Sequence, residues 1–257
     1  MNFFGSKDAA ERYATGRPDF HAGTIGRVKA FLGIEQKLPL ALDVACGTGL
    51  STKALLSVAD EVYGTDLSRE MLDRACEKDK IRYVVAAADN QPFEDEEFDL
   101  VTVSSAIHWF DIDAFLTEAG RILKTNGWLV IYENYFTGKM DGNDGFTNWV
   151  NEVYLKRFPS PPRNKNYDWS AGNLKIKGLS ITVPDEFENA INFNKRQLIS
   201  YFTTQSNIIS SIEQNLLTCD EAEQWLDGQL APYFNDAEIV HTFLFGNRLK
   251  YFQKTTI

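Results

Sequence analysis

Two acidic residues and two glycines are the positions of this chain best spaced for chemistry. Asp43 lies at the end of the apolar run LALDV (40–44), and Gly47 and Gly49 follow in the turn ACGTG (45–49). Asp66 closes a second run, EVYGTD (61–66). A glycine turn bares backbone N–H groups, and a helix behind it adds the positive end of its dipole, so the pair suits a bound ligand. A carboxylate just before the turn favours a ligand with positive charge over one carrying only phosphates. Two opposite charges ~4 Å apart gain on the order of 4 kcal/mol at an effective dielectric near 20, before desolvation. An acidic residue at the tip of the second strand of a βαβ unit accepts hydrogen bonds from both ribose hydroxyls. These residues therefore point to an adenosine-type ligand without choosing which.

The elements that must hold these residues read as strand, helix, strand. Leu40, Leu42 and Val44 suit a buried strand, and Leu50, Ala54, Leu55 and Val58 recur at helical spacing. The alternation continues to residue 134. SREMLDRACEK (68–78) and DAFLTEAGRILK (113–124) have helical apolar faces. IRYVVAA (81–87), FDLVTVS (98–104) and WLVIYE (128–133) read as strands, the last preceded by the helix-breaking pair Asn126–Gly127. Five strands alternating with helices imply a parallel α/β sheet with right-handed crossovers. In such sheets ligands sit at the carboxyl ends of the strands, which is where AAADNQPF (86–93) and SSAIHWFD (104–111) belong.

Beyond residue 134 the pattern loosens. FTNWVNEVYLKRF (146–158) is amphipathic, PSPPRNKNYDWSAG (159–172) is a proline-rich loop, and residues 194–232 return to helical spacing. Thr218 with Glu221 has the form of a capping box. The stretch 239–254 reads as two short strands around Gly246–Asn247.

Composition bounds the partners. The 257 residues are 44% hydrophobic and 24% charged, ordinary for a globular chain with a sizeable core, and the formal charge is −10. An acidic chain without basic runs is poorly suited to a phosphate backbone, so no nucleic-acid partner is expected. Three dispersed cysteines (Cys46, Cys76, Cys219) and three dispersed histidines (His21, His108, His241) give no disulfide framework and no metal-ligand spacing. MNFFGSKDAAERY has no apolar leader core, and no run approaches ~20 apolar residues. The expectation is a cytoplasmic chain without a membrane span.

Taken together, these motifs resemble the class I S-adenosylmethionine-dependent methyltransferases, nearest the small-molecule branch called methyltransferase type 11, which includes trans-aconitate-methyltransferase-like proteins. Residues 40–134 carry most of the likeness, and Tyr13 with Arg17–Pro18 matches the branch's tyrosine-to-Arg-Pro stretch. The resemblance implies a Rossmann-like, doubly wound, mostly parallel seven-stranded sheet with an antiparallel last strand and a helical or loop cap. It implies one domain over 1–257: cofactor-covering helices at 1–38, a cofactor-binding core at 39–134, a cap at 135–195, and C-terminal helices with a final hairpin at 196–257. The implied cofactor is S-adenosyl-L-methionine, and the implied acceptor is a small molecule.

The resemblance also distributes roles. Asp43 would face the amino group of the methionine part, and Ala45, Gly47 and Gly49 would let the cofactor approach the backbone. Asp66 would bind the ribose, with Leu67 and Met71 against the adenine and Ala88 and Asp89 at its edge. Ser104, Ser105 and His108 would face the methionine moiety and the substrate. Tyr13 and Arg17 either close over the cofactor, with Arg17 on its carboxylate, or belong to a surface helix with an ordinary ion pair. Two positions depart from the usual pattern. Ala45 stands for the first glycine of the triplet, and Ala87 stands where an adenine-binding aspartate is common.

Several readings stay open at the level of sequence. His108 is a general base or a histidine that orients its loop. Trp109 and Phe110 are packing residues or cation-binding groups, Cys46 is a packing residue or a reactive thiol, and 146–158 is a lid or an added helix. A nicotinamide dehydrogenase is the rival on the same fold, but its motif wants glycine where Thr52 stands. A cofactor-binding module without catalysis is the rival from another class.

Overall fold

The computed structural model describes residues 7–76, 78–163, 167–236 and 238–255. Residues 1–6 of the expected cofactor-covering segment 1–38, residue 77 of the expected helix at 68–78 and residues 164–166 of the expected loop lie outside this set.

The strands are β1 (Leu38–Val44), β2 (Ala59–Asp66), β3 (Ile81–Val85), β4 (Phe98–Ser104), β5 (Leu123–Met140), β6 (Leu179–Ile181), β7 (Asp185–Phe193) and β8 (His241–Lys254). They form one sheet in the order β3-β2-β1-β4-β5-β8-β6, with β7 paired to β8. β1 pairs in parallel with β2 and β4, β2 with β3, and β4 with β5. β8 runs antiparallel to β6. This is the doubly wound, mostly parallel sheet that the strand–helix alternation implies, with the order reversing at β1/β4.

The sheet has eight strands where seven are expected. β7, DEFENAINF, alternates half-buried and exposed side chains up to the buried Phe193, so its period of two makes a strand inside the stretch expected as a cap. The C-terminal hairpin does not form either, because 241–254 is a single strand. Gly246 is not among the glycines with positive φ. Its missing side chain instead admits the Tyr135 ring, whose atoms lie 2.3–2.7 Å from where a Cβ would stand. Asn247 is buried and accepts a hydrogen bond from Thr24 (3.2 Å), which a turn residue in solvent could not do.

Two compact units emerge from the described residues. One is drawn from Asp19–Asn134, Arg163–Phe187 and Asn247–Ile257, the other from Met1–Pro18, Tyr135–Pro162 and Glu188–Gly246, with boundaries inside β5, β7 and β8.

The first unit holds the two-sided core. Leu42, Val44, Val101, Val103, Leu129 and Ile131 pack against Phe115, Leu116, Ala119 and Ile122 of the helix Ile112–Ile122. Ala41, Leu100, Val130 and Tyr132 face the other way, against Ile25, Val28 and Leu55. Burial of both faces explains why β1 and β4 read as near-continuous apolar runs.

The second unit is built on aromatic rings. Phe136, Phe146, Trp149, Phe202, Phe243 and Phe245 meet edge-on or tilted at 5–6 Å. Segment 146–158 belongs to a helical stretch starting at Asp144, with a π-helical turn at Val150–Tyr154, and buries Phe146, Trp149, Val150, Tyr154 and Phe158. The capping box at Thr218–Glu221 is formed. A second one, Asn194–Gln197, starts the helix Lys195–Thr203. Among the described residues no helix is long and apolar enough to cross a membrane.

Candidate active site

The turn after β1 is held by its own backbone conformation. Ala45, Gly47 and Gly49 have φ of 55°, 55° and 76°. Alanine in this region costs roughly 1–2 kcal/mol, so the surrounding structure must enforce it. Ser105, directly after β4, is also left-handed at 52°. The two strained residues thus follow adjacent strands at the carboxyl edge of the sheet. A Cβ at Gly47 would meet nothing within 4 Å, so the turn is open above that residue. Gly49 is closed, because a Cβ there would stand 2.2 Å from the Tyr83 hydroxyl.

Asp43 anchors the turn from below. It is fully buried, and its carboxylate accepts hydrogen bonds from Ser51 (2.6 Å), Thr52 (2.8 Å) and Thr102 (2.9 Å). Burial raises its pKa from the usual 3.8 to about 6, although the hydroxyls pull it down. The carboxylate therefore sits beneath the turn as a neutral-pH anion, filled by hydroxyl donors.

Asp66 lies across the turn from it. One carboxylate oxygen accepts the Gly47 N–H (2.9 Å) and the other the Ser68 N–H (2.8 Å). Burial pushes its carboxyl up, against the pull of these amide bonds. Each oxygen keeps a lone pair for a further donor. Ser68 then caps the helix Arg69–Leu72 by accepting the Met71 N–H. That helix is far shorter than the expected 68–78. The Cys76 carbonyl accepts from Tyr83 Oη (3.1 Å), and the Cys76 N–H goes to Thr48 O (3.3 Å), which takes the chain out of helical register.

The remaining sequence-derived residues fall as follows. Leu67 is 65% exposed beside Asp66, and Val85 at the end of β3 is 40% exposed, an apolar pair at the strand tips. Met71 is buried. Ala88 is half-buried and Asp89 exposed, in a turn closed by the Ala87–Asn90 bridge. Ser104 ends β4 in register with Tyr132. His108 sits on a 3-10 turn, Ile107–Trp109, with Nδ1 3.5 Å from Glu133 Oε1. Cys46 is buried, and burial followed by the charges of Asp43 and Asp66 pushes its thiol up, so it stays protonated and inert. Tyr13 and Arg17 belong to the other unit. There the Arg17 guanidinium donates to Thr204 O (3.1 Å) and lies over the Tyr13 and Tyr201 rings.

Sequence reading overlooked Thr102, Tyr83 and Glu133. Thr102 sits within an apolar strand and Tyr83 within a β-branched run, so neither carries a signal of its own. Glu133 does, since it ends the run WLVIYE much as Asp66 ends EVYGTD. Among the described residues no group of three or more His, Cys, Asp or Glu could hold a metal ion.

Comparison with known proteins gives the family. A family model described as a methyltransferase domain matches residues 42–131. A Dictyostelium discoideum protein named as a methyltransferase is 32% identical over 187 residues, which are 70% of this chain and 68% of that protein. The chain belongs to the class I S-adenosylmethionine-dependent methyltransferases. Some curated methyltransferases match over a shorter span. The Staphylococcus saprophyticus demethylmenaquinone methyltransferase is 40% identical over 101 residues, 36% of this chain and 43% of its own length. Among solved structures, a methyltransferase from Anaeromyxobacter dehalogenans has a TM-score of 0.71 at 16% identity, covering 93% of this methyltransferase and 97% of its own chain. The Haemonchus contortus phosphoethanolamine N-methyltransferase 2, in complex with S-adenosyl-L-methionine, has a TM-score of 0.57 at 19% identity, covering 100% of this chain and 60% of its own. At those identities the two structures establish the shared fold.

Proposed function

We propose that this methyltransferase binds S-adenosylmethionine over the 45–49 turn and methylates a small-molecule acceptor, releasing S-adenosylhomocysteine. The observation that carries the reading is the Asp66 carboxylate. It is pinned by two backbone amides at the tip of β2, keeps acceptor capacity on both oxygens, and flanks a glycine turn open above Gly47. The residues present fit such a ligand. Asp66 suits the ribose hydroxyls, and the exposed Leu67 and Val85 suit an adenine face. Two buried polar groups, the Thr48 hydroxyl after β1 and the Asn134 side-chain amide on β5, have no partner among the described residues. Asp43 acts through its charge under the turn and through the hydroxyls it holds, while Ala45, Gly47 and Gly49 shape the backbone above it.

When bound, S-adenosylmethionine supplies an activated methyl on a positively charged sulfur. The protein's task is then alignment, which can supply roughly 7–11 kcal/mol of the barrier. The two carboxylates favour a cation at the turn, which selects for the sulfonium ligand over a pyridine nucleotide diphosphate.

Several features favour a small acceptor. The chain is acidic, and it has no basic run to hold a nucleic acid. One curated relative is named for a small acceptor, demethylmenaquinone. Calorimetric titration with S-adenosylhomocysteine and with NAD tests the cofactor. Saturable binding of the first alone is expected, and binding of NAD alone would refute the assignment. Incubating the protein with labelled methyl donor and a metabolite extract, with mass spectrometry of labelled products, tests the transfer. A bound cofactor without any labelled product would favour a silent binding module.

A further inference from the structure

We infer that Glu133 is a positioning residue that holds His108 in the Nδ1–H form, leaving Nε2 to take a proton from an acceptor whose nucleophile is an O–H or N–H group. This deepens the proposed methyl transfer and rests on it.

The argument starts from placement. His108 stands on the turn after β4 and Glu133 near the carboxyl end of the core stretch of β5, so neighbouring strands deliver them to the edge that carries Ala45 and Ser105. The His108 side chain is 11% exposed and the Glu133 side chain 39%, so the contact is shielded on the imidazole side. Nδ1 faces Glu133 Oε1 at 3.5 Å, the outer limit of a hydrogen bond, and such contacts commonly tighten once a site is filled. The Trp109 ring packs at 4.6 Å and limits how far the imidazole can turn.

The charges nearby favour an ionised Glu133. The hydrogen bond from His108 holds its carboxyl below the usual range, and Lys250 and Arg163 add to that pull against the effect of burial. An ionised Glu133 accepts only, so Nδ1 must donate, and Nε2 is then the basic nitrogen. The same carboxylate stabilises the imidazolium once Nε2 is protonated, which is the general logic of an oriented histidine base.

The proton and electron count closes. The acceptor's nucleophile forms a bond to the methyl carbon, the carbon–sulfur bond breaks with its electron pair returning to sulfur, and the acceptor's proton ends on Nε2. A carboxylate acceptor has no proton to lose and would make the dyad idle, so the dyad selects hydroxyl or amine acceptors.

Long-range ¹H–¹⁵N NMR of the imidazoles at alkaline pH tests this without an acceptor, since the chain has three histidines and His108→Asn assigns the signal. In the wild type the Nδ1–H tautomer of His108 should exceed the Nε2–H form by about tenfold, the ratio a hydrogen bond to a charged group supports. Glu133→Leu should collapse that excess, and Glu133→Gln, which keeps an accepting oxygen, should restore most of it. A predominant Nε2–H form in the wild type, or no change in Glu133→Leu, would overturn the inference. S-adenosylhomocysteine titrations of the same samples keep the two claims apart. Loss of binding in the wild type sinks the cofactor reading, whereas intact binding with an unaltered tautomer ratio sinks only the role of Glu133.

Discussion

Replacing Asp43 by Asn should remove a loss of stability that grows as the pH rises, while weakening the cofactor. Asp43 is fully buried, and its pKa lies at about 6 instead of 3.8. An acid whose pKa is higher in the folded state is favoured by folding when neutral. Its contribution is complete below about pH 3.8 and is lost as the pH rises through about 6. At roughly 1.4 kcal/mol per pH unit the ionised form costs the fold about 3 kcal/mol, of which about 2.5 kcal/mol falls between pH 4 and pH 7.5. Asn does not titrate. Urea unfolding of both chains at pH 4, 5, 6 and 7.5 should therefore show the wild type losing about 2.5 kcal/mol relative to Asp43→Asn across that range. Asp66 titrates in both chains and largely cancels in the difference. The same variant should bind S-adenosylmethionine at least about tenfold more weakly, while uncharged adenosine changes little. A stability difference that stays constant with pH, or one that moves the other way, would refute the reasoning.

Other substitutions probe separate parts of the account. Asp66→Ala leaves the Gly47 and Ser68 amides without their acceptor and should weaken S-adenosylhomocysteine binding by about tenfold or more in calorimetry. Gly49→Ala places a Cβ 2.2 Å from the Tyr83 hydroxyl at a φ of 76°, and should lower the melting temperature sharply; adding Tyr83→Val should recover only the steric part. Thr102→Val removes a buried donor to Asp43 (2.9 Å) and should cost about 1–3 kcal/mol in denaturant unfolding at pH 7.5. Phe146→Ala, fully buried among Phe136, Phe243 and Tyr233, should cost about 3–5 kcal/mol by the same measurement.

The parts of the fold legible in the sequence are those where a single force sets the pattern. β4 has the bounds its apolar run predicts, 98–104, because both faces are buried and only Asp99 and Ser104 are partly exposed. The helix Ile112–Ile122 follows its amphipathic spacing, capped by Asp111. The departures arise where tertiary contact overrides local preference. Gly246–Asn247 looks like a hairpin turn, but Gly246 makes room for Tyr135 and Asn247 is drawn into a buried hydrogen bond. The 68–78 helix gives way after one turn to i→i−3 bonds at Arg74 and Ala75, and Thr48 and Tyr83 then claim the Cys76 backbone.

The site divides in the same way. Asp43 and Asp66 were visible because each carboxylate punctuates an apolar run. What each touches was not, since the donors Ser51, Thr52 and Thr102 come from a helix and a neighbouring strand. Glu133 punctuates a run too, but its meaning depends on His108 arriving opposite it, which only the sheet order supplies.

A crystal structure grown with S-adenosylhomocysteine addresses the central claim most directly. The account predicts both ribose hydroxyls on the Asp66 carboxylate, the nucleoside lying over Gly47, and the adenine beside Leu67. Ligand density elsewhere on the protein, or an Asp66 carboxylate turned away from the ribose, would contradict it.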